Sequence, residues 1–253
     1  MATNPLWTRH VLGGDEAVIE LGCGISGLVA LTLAPLVRKY VATDQEYVRR
    51  FFRQNIEENR HTIATTSSLK KGGASKKVRA AVGSTKRGGK ETSSNSNIDF
   101  IPLDWEVDVP SDATLHNNND SNGESGFDLL ISCDCIYNEA LIPSFVRTCA
   151  DICLLRSDAI NKNNDRGEQE DTTTKKNPTI AIIAQQQRSP DVFEVWLKET
   201  LKFFRVWRIE TFDTLAASSQ GSGEETGGSN GLGDGSGYVV HILVLRDDIP
   251  ATS

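Results

Sequence analysis

An acid and a phenol stand three residues apart in Cys133-Asp134-Cys135-Ile136-Tyr137-Asn138-Glu139, just beyond an apolar run that begins at Phe127. At the carboxyl end of a strand in an open α/β sheet, such a pair lies where substrates bind. The acceptor it suits is a primary amine, which must lose its proton before it can attack an electrophile, against an unperturbed pKa near 10.4. Asp134 could align the amine and Tyr137 could wall or hydrogen bond it. The same residues also fit a helix start, with Asp134 or Asn138 as cap and Tyr137 as packing.

A second group of residues suits a nucleoside. Val18-Ile19-Glu20-Leu21-Gly22-Cys23-Gly24-Ile25-Ser26-Gly27 is an apolar strand that runs into a glycine-rich turn and then a helix. Gly22 and Gly24 leave room for a ligand against the backbone, and Gly27 permits close packing of the helix on the strand. The spacing alone also fits a dinucleotide fingerprint or an ordinary turn. Asp44 ends Tyr40-Val41-Ala42-Thr43-Asp44, where a carboxylate accepts hydrogen bonds from both ribose hydroxyls. In Leu103-Asp104-Trp105, Asp104 could take an adenine amino group and Trp105 could lie against the ring; the alternative is a strand-ending turn with a packed tryptophan.

These residues need a sheet to bring them together. Apolar runs rich in Val, Ile and Leu recur at Ala17–Leu21, Tyr40–Thr43, Ile98–Leu103, Phe127–Ser132, Thr179–Ala184, Phe204–Ile209 and Tyr238–Leu245. Their near-continuous hydrophobicity predicts strands covered on both faces, as in a mostly parallel sheet. Helical periodicity falls between them at Gly27–Val37, Glu46–Asn59, Glu139–Leu155 and Pro190–Lys202. The last begins with Ser189 as a cap and Pro190 at the first helical position, and sets Phe193, Trp196, Leu197 and Leu201 on one face. Strand and helix alternate, so the expected class is α/β. Four tracts, His61–Asn97, Ser111–Ser125, Ser157–Asn177 and Ala216–Gly237, hold too little apolar area to offset their ordering entropy and are expected as long disordered insertions.

Composition narrows the function. A net charge of −7 argues against wholesale neutralisation of a phosphate backbone, so no direct nucleic-acid partner is expected. Eight basic residues and no acid lie between 69 and 90 (Lys70, Lys71, Lys76, Lys77, Arg79, Lys86, Arg87, Lys90), which leaves the remainder markedly acidic and suited to a basic partner. That stretch reads as a solvated insertion, or else as a nuclear address or nucleic-acid patch. Five cysteines cannot all pair, and they read as reduced core thiols of an intracellular protein; the zinc alternative has C-x-C and C-x₃-C spacing without a nearby histidine. No segment has the length of a membrane span and no secretory start is visible. The histidines His10, His61, His116 and His241 offer no ligand spacing, so no metal is expected.

Taken together, Glu20-Leu21-Gly22-Cys23-Gly24-Ile25-Ser26-Gly27, Ala42-Thr43-Asp44-Gln45, Leu103-Asp104-Trp105-Glu106 and Asp134-Cys135-Ile136-Tyr137-Asn138-Glu139 resemble the seven-stranded protein-lysine methyltransferases, and among them the fungal ribosomal lysine N-methyltransferase 5 family. The resemblance implies a Rossmann-like class I methyltransferase: one domain over 1–253, with a seven-stranded, mostly parallel sheet, helices on both faces and the last strand antiparallel. It implies S-adenosyl-L-methionine as cofactor and monomethylation of a lysine on a large-subunit ribosomal protein of the L1 type. Glu20, Gly22, Gly24 and Gly27 would line the methionine end, Asp44 the ribose, and Asp104 with Trp105 the adenine; Cys23, Gln45 and Cys133 adjoin the same lining. Asp134 and Tyr137 would be the substrate signature. Family members carry a longer N-terminal segment with a tryptophan stretch, whereas this chain reaches its first strand near residue 17 and has only Trp7 before it, so a truncated N-terminal segment is expected. The expected setting is a monomer in the cytoplasm or also the nucleus. Two other readings stay open: a catalytically impaired cofactor-binding module that holds a protein partner, and a nicotinamide-dependent oxidoreductase resting on the glycine spacing.

Overall fold

The computed structural model describes residues 13–68, 97–115, 125–165, 177–209, 237–247 and 249, with side chains of the two longest helices described to residues 59 and 156. Trp7, the basic stretch 69–90 and most of the four polar tracts lie outside the described residues.

Seven strands form at the seven apolar runs: β1 (Ala17–Leu21), β2 (Lys39–Asp44), β3 (Ile98–Pro102), β4 (Leu129–Cys133), β5 (Ile180–Gln186), β6 (Phe204–Ile209) and β7 (Tyr238–Leu245). They make one sheet in the order β3-β2-β1-β4-β5-β7-β6. Neighbours from β3 through β5 pair in parallel, whereas β7 is antiparallel to both β5 and β6. The chain therefore runs outward from β1 to β3, then returns to β1's other side at β4. Above the carboxyl ends of β1 and β4 the connections part in opposite directions, and a crevice opens there.

Helices cover both faces, and the central strands β1 and β2 are buried almost throughout, Glu20, Lys39 and Thr43 included. α1 (Leu28–Leu33) and α2 (Arg49–Ser68) pack on one face, where Ala30, Leu31, Phe52 and Ile56 meet Val18, Tyr40, Phe100, Leu129 and Ile131. On the other, α4 (Ile142–Asp165) and α5 (Pro190–Phe203) bring Phe145, Val146, Cys149, Ile152 and Trp196 against Ile19, Leu21, Val41, Leu130 and Ile183. At the other end of the sheet, Asp128 ties three elements together: it accepts the Ala17 N–H at 2.9 Å and pairs with Arg156 at 2.6 Å.

Three sequence expectations need correction. α2 and α4 continue to Ser68 and Asp165, into tracts expected as loops, because lengthening a formed helix costs far less than starting one. A four-residue helix, α3 (Asp112–Leu115), forms inside Ser111–Ser125. Ser111 and Thr114 cap it reciprocally, Thr114 N–H donating to Ser111 Oγ at 3.2 Å and Ser111 N–H to Thr114 Oγ1 at 3.0 Å, and Leu115 is fully buried. In α5 the buried stripe is Trp196 and Thr200, while Leu201 is exposed; Ser189 occupies the cap position but its hydroxyl makes no cap bond.

Candidate active site

The glycine turn is shaped by two contacts. Gly22 and Cys23 both donate their N–H to Thr43 O, at 2.9 and 3.0 Å, which bends the chain over the end of β2. Gly22 sits at φ +69, and a Cβ there would stand 2.4 Å from Cys135 Sγ and 3.3 Å from the Trp105 ring. Only glycine lets the turn, the cysteine and the indole meet. At Gly27, φ +61, a Cβ would lie 2.7 Å from Ile56 Cδ1 and 3.2 Å from Phe52 Cε2, so its role is close approach to α2 rather than to the strand.

Asp44 closes β2 and locks the turn. Its Oδ2 accepts the Gly24 N–H at 2.8 Å and its Oδ1 accepts the Gln45 N–H at 2.7 Å. Each oxygen keeps acceptor capacity, since a carboxylate offers about four lone-pair sites. Leu103 N–H then bonds Asp44 O at 3.0 Å, which delivers Asp104 and Trp105 beside it. The Gln45 side chain, and after it the Glu106 N–H at 2.9 Å, hold the Asp104 carboxyl below the ordinary range. Trp105 packs edge-on against Phe145 with ring centroids 5.0 Å apart, and its buried Nε1–H has no hydrogen-bond partner among the described residues.

Past β4, Asp134 stands at φ +59, the one side-chain-bearing residue at positive φ among those described. Its N–H donates to Ala184 O at 2.7 Å, its Oδ1 accepts weakly from Gln186 N–H at 3.4 Å, and its Oδ2 is paired with Arg188. Strain of this kind persists only where surroundings over-determine it, and it concentrates at functional sites. Asn138 caps the short turn Glu139–Leu141 by accepting Ala140 N–H at 3.1 Å. Tyr137 is not packing: it is 61% exposed.

These pieces meet in a crevice of about 210 Å³ lined by Gly22, Asp44, Gln45, Asp104, Trp105, Cys133, Asp134 and Tyr137, together with Tyr47, Leu103, Glu106, Cys135 and Leu141. Eight of the twelve sequence-derived site residues thus converge. Glu20, Cys23, Gly24 and Gly27 do not line it. Glu20 instead lies 2% exposed between β1 and β2, accepting the Tyr40 hydroxyl at 2.7 Å. Burial lifts its pKa to about 7, with the Asp44 charge adding to the rise and the Tyr40 bond opposing it. Cys23 is buried, its thiol pushed up by burial and by Glu20, and Gly24 meets the crevice only through Asp44. A wider cleft of about 670 Å³ between α2 and the edge strand β3 holds none of these residues.

All five cysteines are free thiols. Cys133 and Cys135 pack against the core and also line the crevice wall, and burial raises their pKa values to about 11 and about 12, so both stay protonated near neutrality. Sequence reasoning missed Arg188, Tyr47 and Leu141, which lie on other elements and carry no local signal; Cys135 stands inside a quoted motif, and its fit against Gly22 appears only when β1 and β4 are adjacent. Among the described residues no three His, Cys, Asp or Glu side chains gather to hold a metal, and no described helix is long and apolar enough to cross a membrane.

A parallel sheet with one reversed strand beside its edge, and a glycine turn opening on a crevice at the carboxyl ends, is the class I, Rossmann-like methyltransferase fold. No protein-family model matches the chain. In sequence it is similar to the proteins named Ribosomal lysine N-methyltransferase 5: 26% identical over 194 residues to that of Lachancea thermotolerans, covering 76% of this chain and 49% of the relative. Against the Kluyveromyces lactis protein the identity is 29% over 188 residues, covering 73% and 49%. The chain thus spans about half the length of the curated relatives it matches. Solved structures that resemble it include the N-methyltransferase NodS of Bradyrhizobium japonicum in complex with S-adenosyl-L-homocysteine, at 9% identity and a TM-score of 0.46, covering 97% of this chain and 89% of that one.

Proposed function

We propose that the chain is an S-adenosyl-L-methionine-dependent protein-lysine N-methyltransferase that monomethylates a large-subunit ribosomal protein of the L1 type. The observation that carries this reading is the single crevice in which Asp134 and Tyr137 share walls with Gly22, Asp44, Asp104 and Trp105. The methyltransferase fold and the names of the yeast relatives support it.

The residues suit the cofactor. The Asp44 oxygens have lone pairs left for two ribose hydroxyls, and the acidic Asp104 beside the Trp105 face suits an adenine amino group and ring. Cys133, Gln45 and the backbone of Gly22 complete the lining. When bound, the cofactor supplies an electrophilic methyl group on a sulfonium sulfur.

The chain's own residues act on the acceptor. Asp134 attracts and aligns the lysine ammonium, and Tyr137 walls the side chain and accepts or donates a hydrogen bond as the amine sheds its proton to solvent. Rate then comes from holding the nucleophile in line rather than from a strong base. The Cys133 and Cys135 thiols, their pKa values raised by partial burial, leave no competing nucleophile ionised in the wall.

Purified protein, labelled cofactor and the proteins of the large ribosomal subunit test the assignment, with mass spectrometry reading the target lysine and the number of methyl groups. Asp44→Ala is expected to weaken S-adenosylhomocysteine binding by about ten-fold or more, whereas Asp134→Ala lowers kcat with cofactor affinity kept. Equal loss of cofactor binding in both variants contradicts this division of roles. Saturable cofactor binding with no methylated product points instead to a partner-binding module.

A further inference from the structure

Asp134 has main-chain contacts to β5 that are separate from its pair with Arg188. The Asp134 N–H bond to Ala184 O at 2.7 Å fixes the left-handed turn, and the Gln186 N–H makes a long, weak contact to Oδ1 at 3.4 Å. Both belong to the β5 main chain. Arg188 enters separately, from the segment between β5 and α5: its Nη2 pairs with Asp134 Oδ2 and its Nε bonds Gln186 Oε1 at 3.2 Å. Its side chain is 56% exposed and that of Asp134 41%. A pair this open to water is weak and readily exchanged.

The other feature is where the pair stands. Asp134 lines the crevice and Arg188 does not, so the guanidinium reaches the carboxylate from outside the wall and occupies one of its two oxygens. An acceptor lysine, on the proposed function, brings a second cation to the same oxygens. Guanidinium and ammonium cannot both hold Oδ2 at full strength. We propose that Arg188 is a place-holder for the substrate ammonium: it occupies Asp134 in the free protein, is displaced by the acceptor lysine, and thereby sets the threshold of affinity an acceptor must exceed. Arg188 acts through Asp134 and touches no reacting atom. The inference rests on the lysine-methyltransferase reading of the crevice.

The test is steady-state methylation of whichever large-subunit ribosomal protein the wild-type chain labels, with Arg188→Met, Arg188→Lys, Asp134→Asn and the remote Arg205→Met, whose arginine pairs with Asp247 at 2.5 Å on the far edge of the sheet. Arg188→Met is expected to lower the acceptor KM by about two- to five-fold, the range an exposed ion pair spans, with kcat within about two-fold of wild type. Arg188→Lys retains a cation and keeps the wild-type KM. Arg205→Met removes the same charge elsewhere and leaves KM unchanged, which separates local competition from net charge. An unchanged or higher KM in Arg188→Met, or a fall in kcat like that of Asp134→Asn, overturns the place-holder role. If the wild-type chain methylates nothing, or Asp134→Asn is fully active, the function reading itself fails and the place-holder with it. Calorimetric binding of S-adenosylhomocysteine and a thermal melt of each variant show whether fold and cofactor site are intact.

Discussion

Glu20 accepts the Tyr40 hydroxyl at 2.7 Å with only 2% of its surface exposed, so its carboxyl meets β1 and β2 rather than water. Desolvation disfavours its charged form and lifts the pKa from 4.5 to about 7. The sign of the linkage follows. Below the unfolded value both states hold the proton and the contribution is fully present; between 4.5 and about 7 the unfolded chain ionises first, so the contribution is lost as pH rises, by roughly 3 kcal/mol in all. Glu20→Gln keeps an acceptor for Tyr40 and carries no charge. Without ligand, it should melt several degrees above wild type at about pH 8 and level with it at about pH 5. Equal melting temperatures at the higher pH would show that the carboxylate is solvated after all.

At the scale of elements, the junction of β1, α1 and α2 turns on Gly27. A methyl group there meets Ile56 Cδ1 at 2.7 Å and also forces a side-chain-bearing residue to φ +61. Gly27→Ala should therefore cost about 2–4 kcal/mol, of which roughly half is backbone strain and the rest overpacking. Ile56→Val removes the offending carbon, so the double variant should recover about 0.5–2 kcal/mol relative to the sum of the two single changes. Strict additivity, read from chemical denaturation, would mean that the helices part without cost. The central strands β1, β2 and β4 were legible because burial on both faces keeps their apolar runs nearly unbroken, whereas β5 alternates buried and half-buried positions and β3 and β6 are more open, so those were legible from their Val, Ile and aromatic content. Helix ends were not, since Arg49–Ser68 and Ile142–Asp165 outlast their apolar faces. α3 carried a readable signal in Ser111 and Thr114, hidden within a polar tract. For the crevice, the motifs told which residues stand at strand ends, but not which way a side chain turns. Glu20 and Asp44 are both acids near the glycine turn, yet one is sealed beneath Tyr40 and the other faces the opening. Arg188 was invisible because its partner lies 54 residues away, and only the pairing of β4 with β5 brings the two together.

For the molecule as a whole, a charge of −7 with eight basic residues gathered between 69 and 90 means that the remaining surface is predominantly acidic. Ribosomal proteins that bind RNA are basic, so the proposed acceptor and most of this surface attract one another over distances longer than any contact. Such attraction is screened within about 10 Å at 0.1 M salt and less as salt rises further. It acts on encounter, not on the aligned amine. Raising salt from about 50 to about 300 mM is therefore expected to lower kcat/KM for the protein acceptor by roughly 3- to 10-fold, with kcat nearly constant. S-adenosylhomocysteine carries no net charge, so its dissociation constant should hardly move over the same range. The two responses separate long-range steering from local chemistry, because on the proposed function both ligands would meet in one crevice and only the acceptor would feel the outer surface. A flat salt profile for the acceptor, alongside normal turnover, would place recognition wholly within the walls around Asp134 and Tyr137 and leave the acidic exterior without a part in selecting the substrate.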